Sequence, residues 1–151
     1  MLRQSPLPQR RKRDPIPPCA PTHDAVRVEE MEDAMNDQAR VAEMKADLVA
    51  RGVKYCFATY VDIHGVPKAK CVPIEFFEKM CAGSELFTVG AMEGMGLVGP
   101  EKDECAAIPD LDSLIVLPWD PEYAWLASDL YYHGEPYANC SRVILKNALA
   151  K

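Results

Sequence analysis

The chain has 151 residues, 48% of them hydrophobic, enough for one modest core with a tail. Its net charge of −6 is unevenly spread: residues 1–22 hold five basic residues and one acidic, net +4, and the rest holds 12 basic and 22 acidic, net −10. An acidic body repels nucleic acid and anionic membrane, and no apolar run approaches the roughly 20 residues that span a bilayer, so neither partner is expected.

The first segment carries six of the 13 prolines and the run Arg10-Arg11-Lys12-Arg13. It has no helical or strand period, so residues 1–27 are expected to be a disordered basic tail. Residues 28–52 read as an amphipathic helix. Met31, Met35, Val41, Met44 and Leu48 recur on one face, Asn36 or Asp37 offers a cap should the helix break, and Gly52 supplies the stop.

Strands follow. Tyr55–Val61 and Val66–Ile74 are joined by Asp62-Ile63-His64-Gly65, a hairpin turn with glycine where a positive φ is needed. Glu75–Ala82 reads as a short helix ended by Gly83, and Leu86–Val89 as a third strand. Gly90–Gly99 contains four glycines and reads as a loop. Cys105–Ile108 and Leu114–Leu117 are further strands, and Trp125–Tyr131 pairs with a piece near Tyr137 around His133-Gly134-Glu135-Pro136. Ser141 is placed to cap a final helix, Arg142–Lys151. The pattern is α+β, and the order hairpin, helix, strands fits a β-grasp (ubiquitin-like) sheet with a crossing helix. The expected organisation is 1–27 tail, 28–52 helical segment, 53–140 sheet domain and 141–151 the start of a further unit.

No self-contained active site is legible. No two of the six cysteines are closer than ten residues, so there is no C-x-x-C clip, and reduced thiols are expected, with Cys56, Cys71 and Cys105 buried in strands. His23, His64 and His133 have no ligand-spaced partners, so no metal site is expected. Asp62 and His64 form an acid–base pair on paper, but a hairpin turn calls for such residues on backbone grounds. The glycine-rich loop lacks the lysine and following helix of a phosphate cradle. Its acids, Glu93 and the nearby Asp103, Glu104 and Asp110, are the groups suited to holding an ammonium by charge-assisted hydrogen bonds.

Several segments, in order, resemble the amino-terminal β-grasp domain of the glutamine synthetase family. They are Val53-Lys54-Tyr55, Val61-Asp62-Ile63-His64-Gly65-Val66-Pro67-Lys68, Val72-Pro73, Leu86-Phe87 with Gly90-Ala91 and Gly94, Pro109-Asp110, Leu117-Pro118-Trp119, Ala127-Ser128-Asp129 and Arg142-Val143-Ile144-Leu145-Lys146. The resemblance covers residues 52–151 and looks nearest to the gamma-glutamylmethylamide synthetase-like branch. It implies an ATP-dependent ligase in which ATP phosphorylates the γ-carboxylate of glutamate and ammonia or an amine displaces the phosphate. Magnesium or manganese and the nucleotide belong to a larger carboxy-terminal domain. On this reading the chain is a non-catalytic, cytoplasmic amino-terminal part, with no catalytic, cofactor or metal residues of its own. It would assemble in a homo-oligomer with full-length subunits and help close a neighbour's site.

The candidate contributions to that site are Thr88, Glu93 and Glu104. The family's aspartate after the strand phenylalanine, associated with ammonium, is Thr88 here. A second family aspartate, six residues before that of Pro109-Asp110, is Glu104. The neutral Thr88 implies an altered nitrogen donor such as an alkylamine, with Glu93 able to restore the charge. The competing expectation is a non-catalytic β-grasp interaction module, with the basic tail and a strand edge as its surfaces.

Overall fold

A computed structural model describes residues 23–92, 99 and 101–151, with side chains from residue 37 onward except at Ala91. The expected tail, apart from residues 23–27, lies outside the described residues, as do Cys19 and the packing expected of Met31 and Met35.

Helix α1 spans His23–Ala50, so it starts before Val28 and runs through Asn36 and Asp37 without a break. No proline or glycine lies within it to interrupt the hydrogen-bond ladder. In the part of α1 whose side chains are described, Leu48 is fully buried, and Val41 and Met44 rest against the core. Gly52, at φ +82°, then turns the chain.

Strands β1 (Tyr55–Val61) and β2 (Pro67–Pro73) form an antiparallel hairpin. A 3-10 turn (Ile74–Phe76) leads into α2 (Phe77–Cys81), which ends at Gly83. There the amide of Ser84 donates to the Lys79 carbonyl and that of Gly83 to Met80, with Gly83 at φ +87°, a left-handed helix stop. β3 is only Leu86–Thr88, because Val89 is drawn into a 3-10 turn with its side chain buried. β4 (Glu104–Pro109) precedes the short β5 (Ile115–Val116), and β6 (Tyr123–Tyr132) runs through the middle of the sheet. β7 (Glu135–Pro136) returns through His133 and Gly134, both at positive φ. α3 covers Ser141–Leu149. Cys140, not Ser141, is its N-cap and makes no side-chain cap bond, while the Ser141 hydroxyl is buried without a partner.

The strand order is β2-β1-β6-β4-β3, with β5 and β7 also on β6. β1 and β6 are parallel and the other pairs antiparallel. This is the expected α+β class. Alternation along the strands gives the sheet two faces. Cys56, Ala58, Ala124 and Leu126 point into a core closed by Leu48 of α1 and by Phe77 and Met80 of α2, all fully buried. The opposite face carries Phe57, Thr59, Tyr123 and Trp125, as the β1–β6 register requires. Cys71 falls on that face at the β2 edge and is exposed, which corrects its expected burial. Cys56, Cys81 and Cys105 are tucked inward, and burial pushes their thiols up to about 12, 12 and 11.

Candidate functional site

The β3–β4 register places Thr88 directly opposite Glu104. Thr88 Oγ1 donates to Glu104 Oε1 at 3.0 Å, and both side chains are exposed. Two of the three expected residues are therefore brought together by strand pairing. The third, Glu93, lies outside the described residues.

The curl of the sheet brings the β1–β2 hairpin toward β3. Tyr60 and Phe87 meet edge to face with ring centroids 4.9 Å apart, and the Lys70 ammonium sits 5.3 Å from the Phe87 centroid. An open cleft of about 850 Å³ lies between hairpin and edge. Thr88 and Glu104 form one wall; Leu86, Phe87 and Met92 give it apolar surface; Lys68 and Lys70 stand on the hairpin side. Neither lysine is among the expected site residues, yet the period-two alternation of Lys68 and Lys70 marks them as sharing one face of β2.

Asp62 and His64 also border the cleft, in the backbone role that the turn demands. The Asp62 carboxylate accepts from the amides of His64 and Val66, each at 2.9 Å, with Lys68 Nζ at 3.6 Å. The Val66 amide, then that of His64, hold its carboxyl below the usual carboxylate range against the opposing effect of burial. Asp110 and Asp103 sit elsewhere. Asp110 accepts from the Asp112 amide and pairs with Arg142, and Asp103 lies 3.4 Å from His133.

Beyond the cleft, α3 is fixed to the sheet by charge. Arg142 pairs with Asp110 and places Nε 3.0 Å from Asp129 Oδ1, and Lys146 also pairs with Asp129. The Nε–Oδ1 contact is an ion pair rather than an aligned hydrogen bond, since neither atom has a hydrogen-bond partner. Val143 is buried beside this network, whereas Ile144, Leu145 and Leu149 are exposed.

No family model matches the chain. The glutamate–methylamine ligase of Methyloversatilis universalis is 36% identical over 108 residues, covering 72% of this chain and 24% of that protein. A glutamine synthetase of Rhizobium meliloti is 35% identical over 101 residues, covering 67% and 23%. Among solved structures, a GmaS/ADP complex superposes with a TM-score of 0.65 at 33% identity, covering 70% of this chain and 24% of that one. The chain belongs to the glutamine synthetase family. It spans about a quarter of the length of the curated relatives it matches.

Among the described residues no group of three or more His, Cys, Asp or Glu side chains is placed to hold a metal ion. Glu104 faces a hydroxyl rather than a second carboxylate. Nor is any helix among the described residues long and apolar enough to cross a membrane.

Proposed function

We propose that this chain is the non-catalytic amino-terminal domain of an ATP-dependent ligase that joins ammonia or an amine to the γ-carboxylate of glutamate. In this reading the β3–β4 edge supplies the nitrogen-donor side of a neighbouring subunit's site within a cytoplasmic homo-oligomer. The remainder of such a ligase would hold ATP with magnesium or manganese, which would supply the phosphoryl group that activates the glutamate carboxylate. No step of that activation is assigned to this chain.

The observation that carries the reading is the Thr88–Glu104 pair. One lone-pair direction of Glu104 Oε1 is taken by the Thr88 hydroxyl, which fixes the carboxylate while its other oxygen stays open to an N–H donor. An ammonium or alkylammonium ion is such a donor. The one charge of the Glu104 carboxylate matches one monocation, and Leu86, Phe87 and Met92 offer a small alkyl substituent an apolar wall. Similarity to the glutamate–methylamine ligase of Methyloversatilis universalis supports this amine preference.

The test is a chimera in which residues 53–140 replace the aligned part of the Methyloversatilis universalis glutamate–methylamine ligase. Glu104→Gln removes the charge and keeps the shape. A charge-assisted hydrogen bond contributes about 1.5–3 kcal/mol, so the methylamine KM should rise at least tenfold while the KM for glutamate and ATP stays put. An unchanged methylamine KM in an active chimera would exclude Glu104 from donor binding.

A further inference from the structure

The sheet face turned away from the core carries an apolar groove of about 380 Å³ that the ligase reading leaves unused. Phe57 and Thr59 of β1, Pro67 of β2 and Trp125 of β6 line it, and Trp119 stands at its rim with 77% of its surface exposed. Thr59 is 99% buried, with its Oγ1 unpartnered. Asp120 follows Trp119 in the turn that joins β5 to β6, placing a carboxylate beside the indole in sequence. Exposed aromatic rings, an indole N–H donor and a neighbouring acid are what polyproline-binding grooves use: the rings pack prolines, the N–H takes a peptide carbonyl, and the acid reads a basic residue.

The amino-terminal segment supplies a matching ligand. Lys12, Pro15, Pro18 and Pro21 recur every three residues. A polyproline II helix has three residues per turn, so in that conformation all four fall on one edge. We infer that residues 12–21 of one copy of the chain dock as a polyproline II strand in the Phe57–Trp119–Trp125 groove of a second copy, with Lys12 toward Asp120.

The geometry favours a second copy over the same one. Among the residues of α1 whose side chains are described, Val41 is the first packed on the core, and His23 lies about 27 Å along the helix axis from it. Pro21 is two residues from His23 and Pro18 five, a reach of at most about 18 Å. The groove is moreover on the face opposite to the one α1 covers. A tail tethered to the far end of a helix that packs on the opposite face is better placed for a neighbour's groove than for its own.

The test uses the full 151-residue chain carrying Pro15→Ala, Pro18→Ala and Pro21→Ala, so that its own tail does not compete. It is titrated with a fluorescein-labelled peptide of residues 10–22 and followed by anisotropy. Saturable binding is expected, with a Kd below about 1 mM. Adding Trp119→Ala to the receptor, or the three alanines to the peptide, should weaken binding at least tenfold, since a tryptophan anchor carries a large share of such an interface. Circular dichroism of the Trp119→Ala chain should match the parent. No saturation by about 1 mM peptide, equal binding of the alanine peptide, or indifference to Trp119→Ala would each overturn the proposal. Light scattering gives a second arm. The unsubstituted chain should show a concentration-dependent mass increase that the triple-proline variant loses. If Trp119→Ala lowers the mass and the proline variant does not, the face pairs with another surface and the tail docking is wrong.

Discussion

Thr88 and Glu104 are 16 residues apart in the chain yet directly opposed across β3 and β4, with their side chains joined at 3.0 Å. Both are exposed at the sheet edge, so the bond does little for stability. Thr88→Val should change unfolding free energy by less than about 0.5 kcal/mol. In the ligase chimera the same change frees the Glu104 carboxylate to rotate and should raise the methylamine KM. Chemical denaturation and steady-state kinetics on one variant separate the two effects. A large stability loss would show that the pair is structural.

Asp62 closes the β1–β2 hairpin with a carboxylate whose pKa is depressed, chiefly by the Val66 amide. A carboxyl depressed in the folded state stabilises the fold fully above its unfolded pKa, about 3.9, and that contribution is lost as pH falls through the lower folded value. Asp62→Asn keeps an acceptor for the two amides but not the charge. Parent and variant should differ in Tm above pH 5, with the parent higher, and converge as pH falls toward 2.5. A constant gap across that range would contradict the assignment.

Gly83 combines a φ of +87° with a crowded site: a Cβ there would sit 2.5 Å from Ile108 Cδ1. Gly65 has a φ of +77° and open space around it. Gly65→Ala should therefore cost about 1 kcal/mol from backbone strain alone, and Gly83→Ala about 2 kcal/mol or more. Urea denaturation of the two variants gives the difference. Equal costs would mean that Ile108 relaxes freely.

Arg142 is shared between Asp110 and Asp129, and its side chain is 30% exposed. Arg142→Met should destabilise the chain by about 2 kcal/mol, because the partly buried Asp110 and the buried Asp129 are left with Lys146 as their one cationic partner among the described residues. Adding Asp129→Asn should recover part of the loss, as a double-mutant cycle would record. Strict additivity would place Arg142 outside the network.

The order of helix, hairpin, helix and strands was legible because each element carries a local signal, such as the aromatic and β-branched run Tyr55–Val61 or the stop at Gly83. The missed boundaries were set by tertiary contact. Val89 leaves β3 because its side chain is buried in the core, and β5 shortens to Ile115–Val116 because the neighbouring residues turn. His23–Arg27 joined the helix although the adjacent proline-rich segment argued for a tail. Of the candidate site, Thr88 and Glu104 were readable from family resemblance, but their opposition depends on strand register. Lys68 and Lys70 became neighbours of that pair only through the curl of the sheet, which local sequence does not encode.

The most direct test of the account is the nitrogen-donor preference of the ligase chimera carrying Thr88→Asp. A second carboxylate beside Glu104 adds countercharge for a small, strongly hydrated cation. The ratio of kcat/KM for ammonia over methylamine should rise at least tenfold relative to the Thr88 parent, about 1.4 kcal/mol of differential transition-state binding. An unchanged ratio in a stable, active chimera would contradict the claim that this sheet edge forms the donor side of the site.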